Sequence, residues 1–437
     1  MDSQASELLE KIRQQFDTGP YPRTPLEQSP KDDGTLLYIH NFLTPYYLRN
    51  QKVPETERIS ILDAGCGSGY TSLILAEANP GAKIVGVDIS EQSVILARQR
   101  LQYHGFKNVE FHAISIEEIT SLNQNFDYIN CDEVLYLLIN PVMGLQAMKS
   151  VLKPHGIIRA NFHSSLSRSH YFRAQQVFKM IGVMDVASPE LEISRVQETM
   201  KALKEQVRIK AETWGNFFEI NKEHIFANHL LQGDKGYTIP DFFSALSASE
   251  LELVVMVNWR QWNLMDLFNT PNDLPAFLGL TLSELSLEDR LHLFELLHPI
   301  HRLLDFWCGH PNQTLPFVPV AEWMPSDWQR AKVHLHPQLK TPIVKEELIR
   351  CITQLNPFEI SRYLPITGEM LVDSTIAACL LPLWEEPQLM SSLVKRWQTL
   401  RAVDPVTLEQ RTELEAFEIM KYALIGLESS GYILLER

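Results

Sequence analysis

ILDAGCGSGY, residues Ile61 to Tyr70, places three glycines within five positions directly behind an aliphatic run. A glycine-rich turn between a strand and a helix lets the backbone come close to a bound ligand. The dinucleotide fingerprint G-x-G-x-x-G requires its third glycine at position 70, which is a tyrosine here. Asp63 puts a carboxylate beside the turn, and a carboxylate suits a cationic ligand group better than a pyrophosphate. The turn therefore predicts a ligand other than a dinucleotide.

The segments on both sides of this turn alternate between strand and helix patterns. RISILDAG leads into the turn, AKIVGVDIS follows as an apolar run that contains Asp88, and NVEFHAIS, FDYINCDEV and IIRANFHSS are further strand candidates with helical stretches between them. Such alternation predicts right-handed crossovers and a parallel sheet that binds ligands at the carboxyl ends of its strands. We therefore predict an α/β fold with a Rossmann-like, doubly wound sheet.

The alternation stops near Ser165 and resumes near residue 236, which predicts a helical insertion within one domain. Beyond Asn263 the sequence favours helices. The predicted organisation is a cap or lid at 1–56, a cofactor-binding core at 57–165, a helical insertion at 166–235, the end of the core at 236–265, and a mostly helical C-terminal region with a regulatory or substrate-recognition role at 266–437.

Composition narrows the function classes. The net charge is −15, from 39 Lys+Arg against 54 Asp+Glu, and this balance disfavours a nucleic-acid partner. The five cysteines form no C-x-x-C pair, which is typical of reduced thiols. The chain shows neither a signal-peptide pattern nor an apolar stretch of about 18 residues. We predict a cytoplasmic protein without a membrane partner. The histidines and cysteine of HPIHRLLDFWCGH fit no standard zinc spacing, so no metal site is predicted.

Four segments, taken in order, resemble the motifs of class I S-adenosylmethionine-dependent methyltransferases. ILDAGCGSG resembles the first motif, VGVDIS the second, FDYINCDEVLY the fourth-strand motif and LKPHGIIRANF the fifth-strand segment. The resemblance implies the seven-stranded methyltransferase sheet and S-adenosyl-L-methionine as the cofactor. Motifs of N6-adenine, cytosine C5 and radical methyltransferases are missing from the sequence.

The same resemblance implies roles for individual residues. Asp63 and the backbone of 65–67 would hold the amino-acid end of the cofactor, Asp88 the ribose and Ile89 the adenine face. The family commonly has an acid after the third strand, where this chain has Ser115, whose hydroxyl can also accept a hydrogen bond from the adenine amino group. Cys131 either lines the cofactor pocket or is a small buried apolar residue. The predicted cofactor-binding residues are Asp63, Gly65, Cys66, Gly67, Gly69, Asp88, Ile89, Ser115, Ile116 and Cys131.

Tyrosines are the candidates for the methyl-acceptor site, because they lie before the first strand and after the fourth. A ring of tyrosines holds an alkylammonium through cation–π attraction, and burial shifts a lysine towards the neutral form that attacks. The alternative interpretation is that they pack the lid onto the core. Pro20 and Pro22 stiffen the backbone on both sides of Tyr21, the first of the candidates. The candidates are Tyr21, Tyr38 and Tyr136.

A second, weaker resemblance concerns the rest of the chain. EHIFANHLLQGDKGYTIPDFFSAL and LKTPIVKEELIRCI are similar to segments of bacterial methyltransferases with a so-called regulatory domain, some of which are protein-lysine methyltransferases. Three hypotheses follow: a protein N-methyltransferase acting on lysine, with protein substrates as partners; a small-molecule methyltransferase acting on a quinone or polyketide; and a non-catalytic cofactor-binding scaffold. We favour the first.

Overall fold

The computed structural model describes residues 3–18, 21–185, 188–215, 217, 221–313, 317–366 and 368–437. The chain divides into two compact units. The first unit comprises residues 1–28, 59–73 and 83–312, and the second comprises residues 29–58, 74–82 and 313–437.

A mixed sheet lies at the centre of the first unit. Its strands are β1 (Ser60–Ala64), β2 (Lys83–Asp88), β3 (Val109–Ala113), β4 (Phe126–Cys131), β5 (Leu152–Ser164), β6 (Gly236–Tyr237), β7 (Glu252–Met256) and β8 (Leu303–Gly309). Seven of them follow the order β3-β2-β1-β4-β5-β8-β7, and the two-residue β6 pairs with β5. Strand β8 runs antiparallel to both of its neighbours, whereas β1 to β5 pair in parallel. The predicted seven-stranded, doubly wound methyltransferase sheet is confirmed.

The strand sequences explain why this sheet is central. The parallel register places Leu62 of β1 beside Val85 of β2 and Ile129 of β4, and all three side chains are fully buried. Parallel strands covered by helices on both faces are apolar on both faces. The order of the strands reverses direction between β1 and β4, and the crevice outside the carboxyl ends at such a point is where open α/β sheets bind ligands. The glycine-rich turn follows β1 at this point.

Helices and short 3-10 turns surround the sheet. The helices are Ser3–Thr18, Tyr70–Ala78 (from residue 74 within the second unit), Glu91–Tyr103, Pro141–Ser150, Ser169–Met180, Pro189–Ala202, Arg208–Thr213, Lys222–His229, Ile239–Ala248, Ala276–Glu284 and Leu287–Leu297, and the 3-10 turns are Ile116–Leu122, Leu135–Leu137, Trp259–Trp262 and Leu264–Leu267. The helices between Ser169 and His229 enclose an apolar cluster of their own that includes Phe178, Val196 and Ile225. The segment predicted as an insertion is helical in the structure and has a small core.

The end of the core differs from the prediction. Strand β8 completes the sheet between β5 and β7, although the sequence placed 266–437 in a separate C-terminal region. The segment LLDFWCG supplies fully buried Leu304, Phe306 and Cys308. Its flanking histidines and helical neighbours hide this strand pattern in the sequence. The first unit therefore extends to residue 312.

The second unit combines helices with small antiparallel sheets. Its helices are Gly34–His40, Leu43–Asn50, Pro325–Arg330, Pro342–Gln354, Ser374–Leu380, Met390–Leu400 and Glu413–Ser429, its 3-10 turns are Val320–Glu322, Pro337–Leu339, Ile360–Arg362 and Leu381–Trp384, and its strands are β9 (Lys332–Leu335), β10 (Phe358–Glu359), β11 (Leu371–Val372), β12 (Gln388–Leu389) and β13 (Ile433–Glu436). The strands pair as β12-β9-β13 and β10-β11.

Residues from both ends of the chain meet within this second unit. The buried Tyr47 hydroxyl donates a 2.8 Å hydrogen bond to Glu428 and accepts a 3.0 Å bond from the N–H of Leu435. Residues 29–58, predicted as part of an N-terminal cap, are therefore bonded to the C-terminal helix and strand. Within the described ranges, no helix combines the length and the apolar character needed to cross a bilayer.

Candidate active site

The glycine-rich turn after β1 is fixed by backbone hydrogen bonds to the end of β2. The N–H groups of Gly65 and Cys66 both donate to the carbonyl of Val87, at 2.8 and 2.9 Å. The N–H of Gly67 donates to Oδ2 of Asp88 at 2.9 Å. These bonds hold the ends of β1 and β2 together and fix the conformation of the turn beside the crevice.

Asp88 closes the turn from the second strand. Its Oδ1 accepts a 2.9 Å hydrogen bond from the N–H of Ser90, while Oδ2 accepts the bond from Gly67. Burial raises the pKa of Asp88, and these two hydrogen bonds oppose that rise. A carboxylate has about four lone-pair positions, so the two N–H donors leave others for the hydroxyls of a ribose.

Asp63 lies beneath the turn and is 1% exposed. Its Oδ2 accepts a 2.6 Å hydrogen bond from the Ser72 hydroxyl and its Oδ1 a 3.0 Å bond from the Asn130 amide. Burial raises the pKa of Asp63 to about 6, although both hydrogen bonds work against this rise. A buried carboxyl of this kind becomes a more favourable anion when a cation comes near.

The segment that contains Tyr21 lies across the turn. The N–H and the hydroxyl of Ser68 donate to the carbonyls of Tyr21 and Pro22, at 2.9 and 2.6 Å. The Arg100 guanidinium donates to the carbonyls of Thr24 and Pro25 at 2.8 and 2.7 Å. These bonds hold 21–25 against Ser68 of the turn and against Arg100. Pro20, which the sequence analysis singled out, lies outside the described residues.

Glycine is required in the turn by a close approach of backbone to backbone. Gly67 has φ +48°, and a Cβ atom there would lie 2.2 Å from the carbonyl oxygen of Tyr21. A Cβ at Gly65 would lie 2.5 Å from Val134. This cradle, with the carboxylates of Asp63 and Asp88 beside it, fits a ligand with an ammonium group and ribose hydroxyls. It does not suit a pyrophosphate.

The other predicted cofactor residues occupy the same edge of the sheet. Ile89 is half-buried after β2, and Ser115 is half-buried after β3, where its N–H donates to Glu118 at 3.2 Å. Gly69 packs against Ala97, whose Cα would lie 2.5 Å from a Cβ at position 69. The remaining three residues are buried, and their ligand contacts stay predictions; they are Cys66, Ile116 and Cys131.

Glu133, two residues after β4, organises the part of the site that acts electrostatically on Tyr21. It has a left-handed backbone, φ +60°, and its N–H donates to Asn161 at 2.8 Å. Its carboxylate accepts a 2.8 Å hydrogen bond from the Tyr136 hydroxyl and a bidentate pair from the Arg302 guanidinium. Left-handed backbone is uncommon for a residue with a side chain, and such strain clusters at functional sites. Its position makes Glu133 a candidate functional residue.

His163, at the end of β5, lies behind Glu133. Its ring stacks on Tyr136 with a centroid distance of 3.7 Å, and its Nδ1 is 2.6 Å from Oδ1 of Asp234. Asp234 is also held by Arg168 and Gln175, which donate to its Oδ2 at 3.2 and 2.9 Å. The imidazole is therefore fixed in position by a buried carboxylate.

A buried arginine connects the strand ends beneath these groups. Arg159 donates to Asp305 from Nε and Nη2 at 3.1 and 2.7 Å, and from Nη1 to Asn130 at 3.2 Å. Asn130 in turn donates to Asp63. The polar network thus runs from the glycine turn on β1, across β4 and β5, to β8. Removing one member would leave a buried charge without its partner, which is costly.

The structure brings two of the three predicted acceptor tyrosines to this network. Tyr136 bonds to Glu133, and Tyr21 lies within electrostatic range of the same carboxylate. Tyr38 lies in the second unit, where its ring centroid is 4.6 Å from that of His336. Its catalytic role remains a prediction.

Sequence reasoning missed several members of the network. In the sequence, Glu133 and His163 stand within the predicted strands FDYINCDEV and IIRANFHSS and carry no predicted role. Both stand at carboxyl ends of predicted strands, and that position was the signal available. No comparable signal marks Asp234 and Arg302, which come from loops that only the fold brings together. Groups of three or more potential metal ligands are absent from the described part of the chain.

Comparison with known proteins agrees with this geometry. Residues 55–239 match the model of a methyltransferase domain family. An uncharacterised protein of Synechococcus is 25% identical over 71% of this chain and 73% of its own length. A ubiquinone biosynthesis O-methyltransferase of Bordetella avium is 34% identical, but over 25% of this chain and 43% of its own length. The structure of PKMT2 from Rickettsia typhi in complex with AdoHcy has a TM-score of 0.57 at 16% identity, covering 96% of this chain and 77% of that one.

Residues 55–239 therefore match a methyltransferase domain family, and the fold is that of the class I S-adenosylmethionine-dependent enzymes. The protein is a methyltransferase, and S-adenosyl-L-methionine is its methyl donor, as predicted. The hypothesis of a non-catalytic scaffold is set aside by this result.

Proposed function

We propose that the protein is an N-methyltransferase that acts on lysine side chains of other proteins. The observation that carries this proposal is the charge around Tyr21. The charges of three nearby carboxylates raise the pKa of its hydroxyl, and the charge of one guanidinium, that of Arg302, lowers it. The three carboxylates are those of Glu133, Glu223 and Asp132. An anionic and aromatic environment beside the methyl-donor turn suits an alkylammonium substrate.

The protonation of Tyr21 supports a binding role. Burial, together with Glu133 and Glu223, raises the pKa of Tyr21 to about 12. At neutral pH the hydroxyl therefore keeps its proton and does not serve as a base. Its oxygen can accept a hydrogen bond from an amine N–H and so direct the nitrogen lone pair, while the ring covers the amine. Displacement at a methyl group depends mainly on such alignment.

The proposed cofactor site consists of the glycine turn and the two carboxylates beside it. Asp63 would face the amino-acid end of S-adenosylmethionine, the backbone of 65–67 would run along it, and Asp88 would accept hydrogen bonds from the ribose. When bound, the cofactor supplies an electrophilic methyl group on a sulfonium. The chain itself would contribute orientation and exclusion of water: the segment 21–25 lies against the turn, and Glu133, bonded to Tyr136, acts electrostatically on Tyr21.

The likeness to PKMT2, a protein lysine methyltransferase, supports the same proposal. It extends over 96% of this chain and thus includes the second unit, not the methyltransferase domain alone. We assign the second unit to recognition of a protein substrate. A cytoplasmic location belongs to the proposal as well; all five cysteines are buried free thiols, as expected in a reducing compartment.

A second candidate function is methylation of a hydroxyl on a small molecule such as a quinone. The observation in its favour is the His163–Asp234 pair, because a histidine oriented by a carboxylate is a common general base and a hydroxyl acceptor needs one. The similarity to ubiquinone O-methyltransferases supports this candidate too, over a quarter of the chain. The acidic surroundings of Tyr21 suit a neutral quinol less well than an ammonium.

A transfer experiment separates the two candidates. Purified protein, S-adenosylmethionine labelled in the methyl group and cell lysate are incubated, and the label is then counted in precipitated protein and in an organic extract. Lysine methylation predicts label in protein, and that label should disappear when lysines of the lysate are acetylated beforehand. Label in the organic extract alone would contradict the proposal. Asp88→Ala serves as the control for cofactor-dependent transfer.

A further inference from the structure

We infer that the buried His163–Asp234 pair accepts, through Glu133, the proton that the methyl acceptor must lose before it is methylated. The inference rests on the proposed function for the acceptor being an amine. The argument depends on how the three side chains are stacked behind one another and on which atoms each of them offers. His163 does not touch the acceptor in this account and acts through Glu133.

The exposure of the three side chains decreases from the site towards the interior. The Glu133 side chain is 28% exposed, His163 is 2% exposed and Asp234 is fully buried. Glu133 is thus the member that can contact an acceptor, and the imidazole lies immediately behind it, with Nε2 3.4 Å from Oε2 of Glu133. A proton taken up by Glu133 has one short step to the ring nitrogen.

His163 has a hydrogen-bond partner for Nε2 in both of its protonation states. Arg302 Nη1 lies 3.2 Å away and can only donate, so it satisfies the lone pair of the neutral ring. Oε2 of Glu133 accepts from the same nitrogen once the ring is protonated. Because an ionised carboxylate such as Asp234 can only accept, Nδ1 must carry the proton in both states to bond with it. Reversible protonation therefore leaves no ring nitrogen without a partner.

Glu133 itself is a poor resting place for the proton. Burial alone would raise the pKa of its carboxyl, but hydrogen bonding to His163 and the charge of Arg302 outweigh burial and lower this pKa well below its usual range. The charged or titratable groups that face His163 are Asp234, Glu133, Arg302 and Tyr136, with Arg168 bonded to Asp234.

The proton step balances without any further reactant. An N–H bond of the acceptor ammonium breaks, and its electron pair stays on nitrogen as the lone pair that attacks the methyl carbon. The proton passes by way of Glu133 to Nε2 of His163, which becomes an imidazolium paired with Asp234. After the methylated product leaves, the imidazolium returns its proton to water. With a hydroxyl acceptor the same step breaks an O–H bond.

The test compares pH–rate profiles of His163→Asn, Asp234→Asn and the wild type between pH 6 and pH 9.5. The methyl acceptor in these assays is whichever fraction of the lysate the wild-type enzyme labels, either the protein or the organic extract. We expect His163→Asn to lower kcat at pH 7 by about 100-fold, the lower end for loss of a general base. With an amine acceptor, its rate should then rise about tenfold per pH unit, because only amine that has lost its proton in solution reacts and lysine titrates near 10.4.

Asp234→Asn separates charge from orientation. The amide oxygen can still accept from Nδ1–H, so the ring keeps its place, but the imidazolium loses its counterion. We expect kcat to fall and the acid limb of the profile to move to lower pH, with the affinity for S-adenosylhomocysteine changed less than about threefold. The matched control is His155→Asn, an exposed histidine of β5 in the irregular stretch between the paired residues Leu152 and Ile157, which should behave as the wild type.

Two results would overturn the inference. One is a His163→Asn profile with the wild-type shape, whether the rate is uniformly lower or unchanged, which would leave the histidine a structural role. The other is a wild-type profile for Asp234→Asn, which refutes the relay even if His163→Asn is misfolded and does not bind S-adenosylhomocysteine. Label found only in the organic extract would contradict the lysine proposal, and the profiles of the same variants, measured with that hydroxyl acceptor, would then refute the relay if they kept the wild-type shape.

Discussion

Gly67→Ala tests whether the segment containing Tyr21 is part of the cofactor site. The alanine Cβ would lie 2.2 Å from the carbonyl oxygen of Tyr21, so that carbonyl must move away. The hydrogen bonds from Ser68 to the carbonyls of Tyr21 and Pro22 are then lost or stretched. Two such bonds contribute about 1–3 kcal/mol in total. The left-handed backbone, φ +48°, costs a side chain about 1–2 kcal/mol more.

Gly105→Ala is the matched control for this substitution. Gly105 also has a left-handed backbone, φ +85°, but no atom lies within 4 Å of the position of its Cβ. It should show the backbone cost of about 1–2 kcal/mol alone. The difference between the two variants, about 1–3 kcal/mol, isolates the contact with the covering segment.

Calorimetric titration with S-adenosylhomocysteine measures the outcome, with thermal unfolding as a check on the fold. We expect Gly67→Ala to reduce affinity by about 5- to 150-fold, which corresponds to that difference. Gly105→Ala should bind with the affinity of the wild type. Equal affinities for the two variants would show that the segment around Tyr21 does not contribute to cofactor binding, and the reasoning on the covering segment would be refuted.

Three further predictions concern carboxylates and the tyrosine of the site. Asp88→Ala should weaken the binding of S-adenosylmethionine by about 1.5–3 kcal/mol if its carboxylate accepts hydrogen bonds from the ribose, and unchanged calorimetric affinity would place the ribose elsewhere. Tyr21→Phe should reduce kcat more than cofactor affinity, whereas Tyr21→Ala should reduce both; wild-type values for both variants would make the segment a structural cap. Because the pKa of Asp63 is raised to about 6, the carboxyl is protonated below that pH and loses its attraction for an ammonium. The affinity for S-adenosylhomocysteine should therefore be about tenfold weaker at pH 5 than at pH 7.5. Asp63→Asn should bind weakly with little pH dependence, and a wild-type affinity that is flat across this range would contradict the role of Asp63.

Local patterns in the sequence were sufficient for the sheet and for the cofactor turn. The turn from Gly65 to Gly69 and the strand end at Asp88 are short-range features, since each depends on residues next to it in the chain. The structure adds the bonds that hold them, such as the one from Gly67 to Asp88. Strand β8 was missed because its neighbours in the sheet, β5 and β7, are distant in sequence and its own segment is short.

The acceptor side of the site depends on contacts that a single sequence does not reveal. Glu133, His163, Asp234 and Arg302 come from four segments, and the reversed strand β8 is what brings Arg302 beside Glu133. Tyr38 illustrates the opposite case. It precedes the first strand, and its ring packs on His336 within the second unit, so that its role at the acceptor site stays a prediction.

The central claim is that the methyl group is transferred to lysine. The most direct measurement is complete hydrolysis of protein labelled by the enzyme and S-adenosylmethionine carrying a labelled methyl group, followed by chromatography of the amino acids. We predict that the label co-elutes with ε-N-methylated lysine, and that Asp88→Ala, which weakens the hold on the cofactor, lowers the yield. Label that co-elutes with another methylated residue, or that is found in small molecules instead of protein, would contradict the claim.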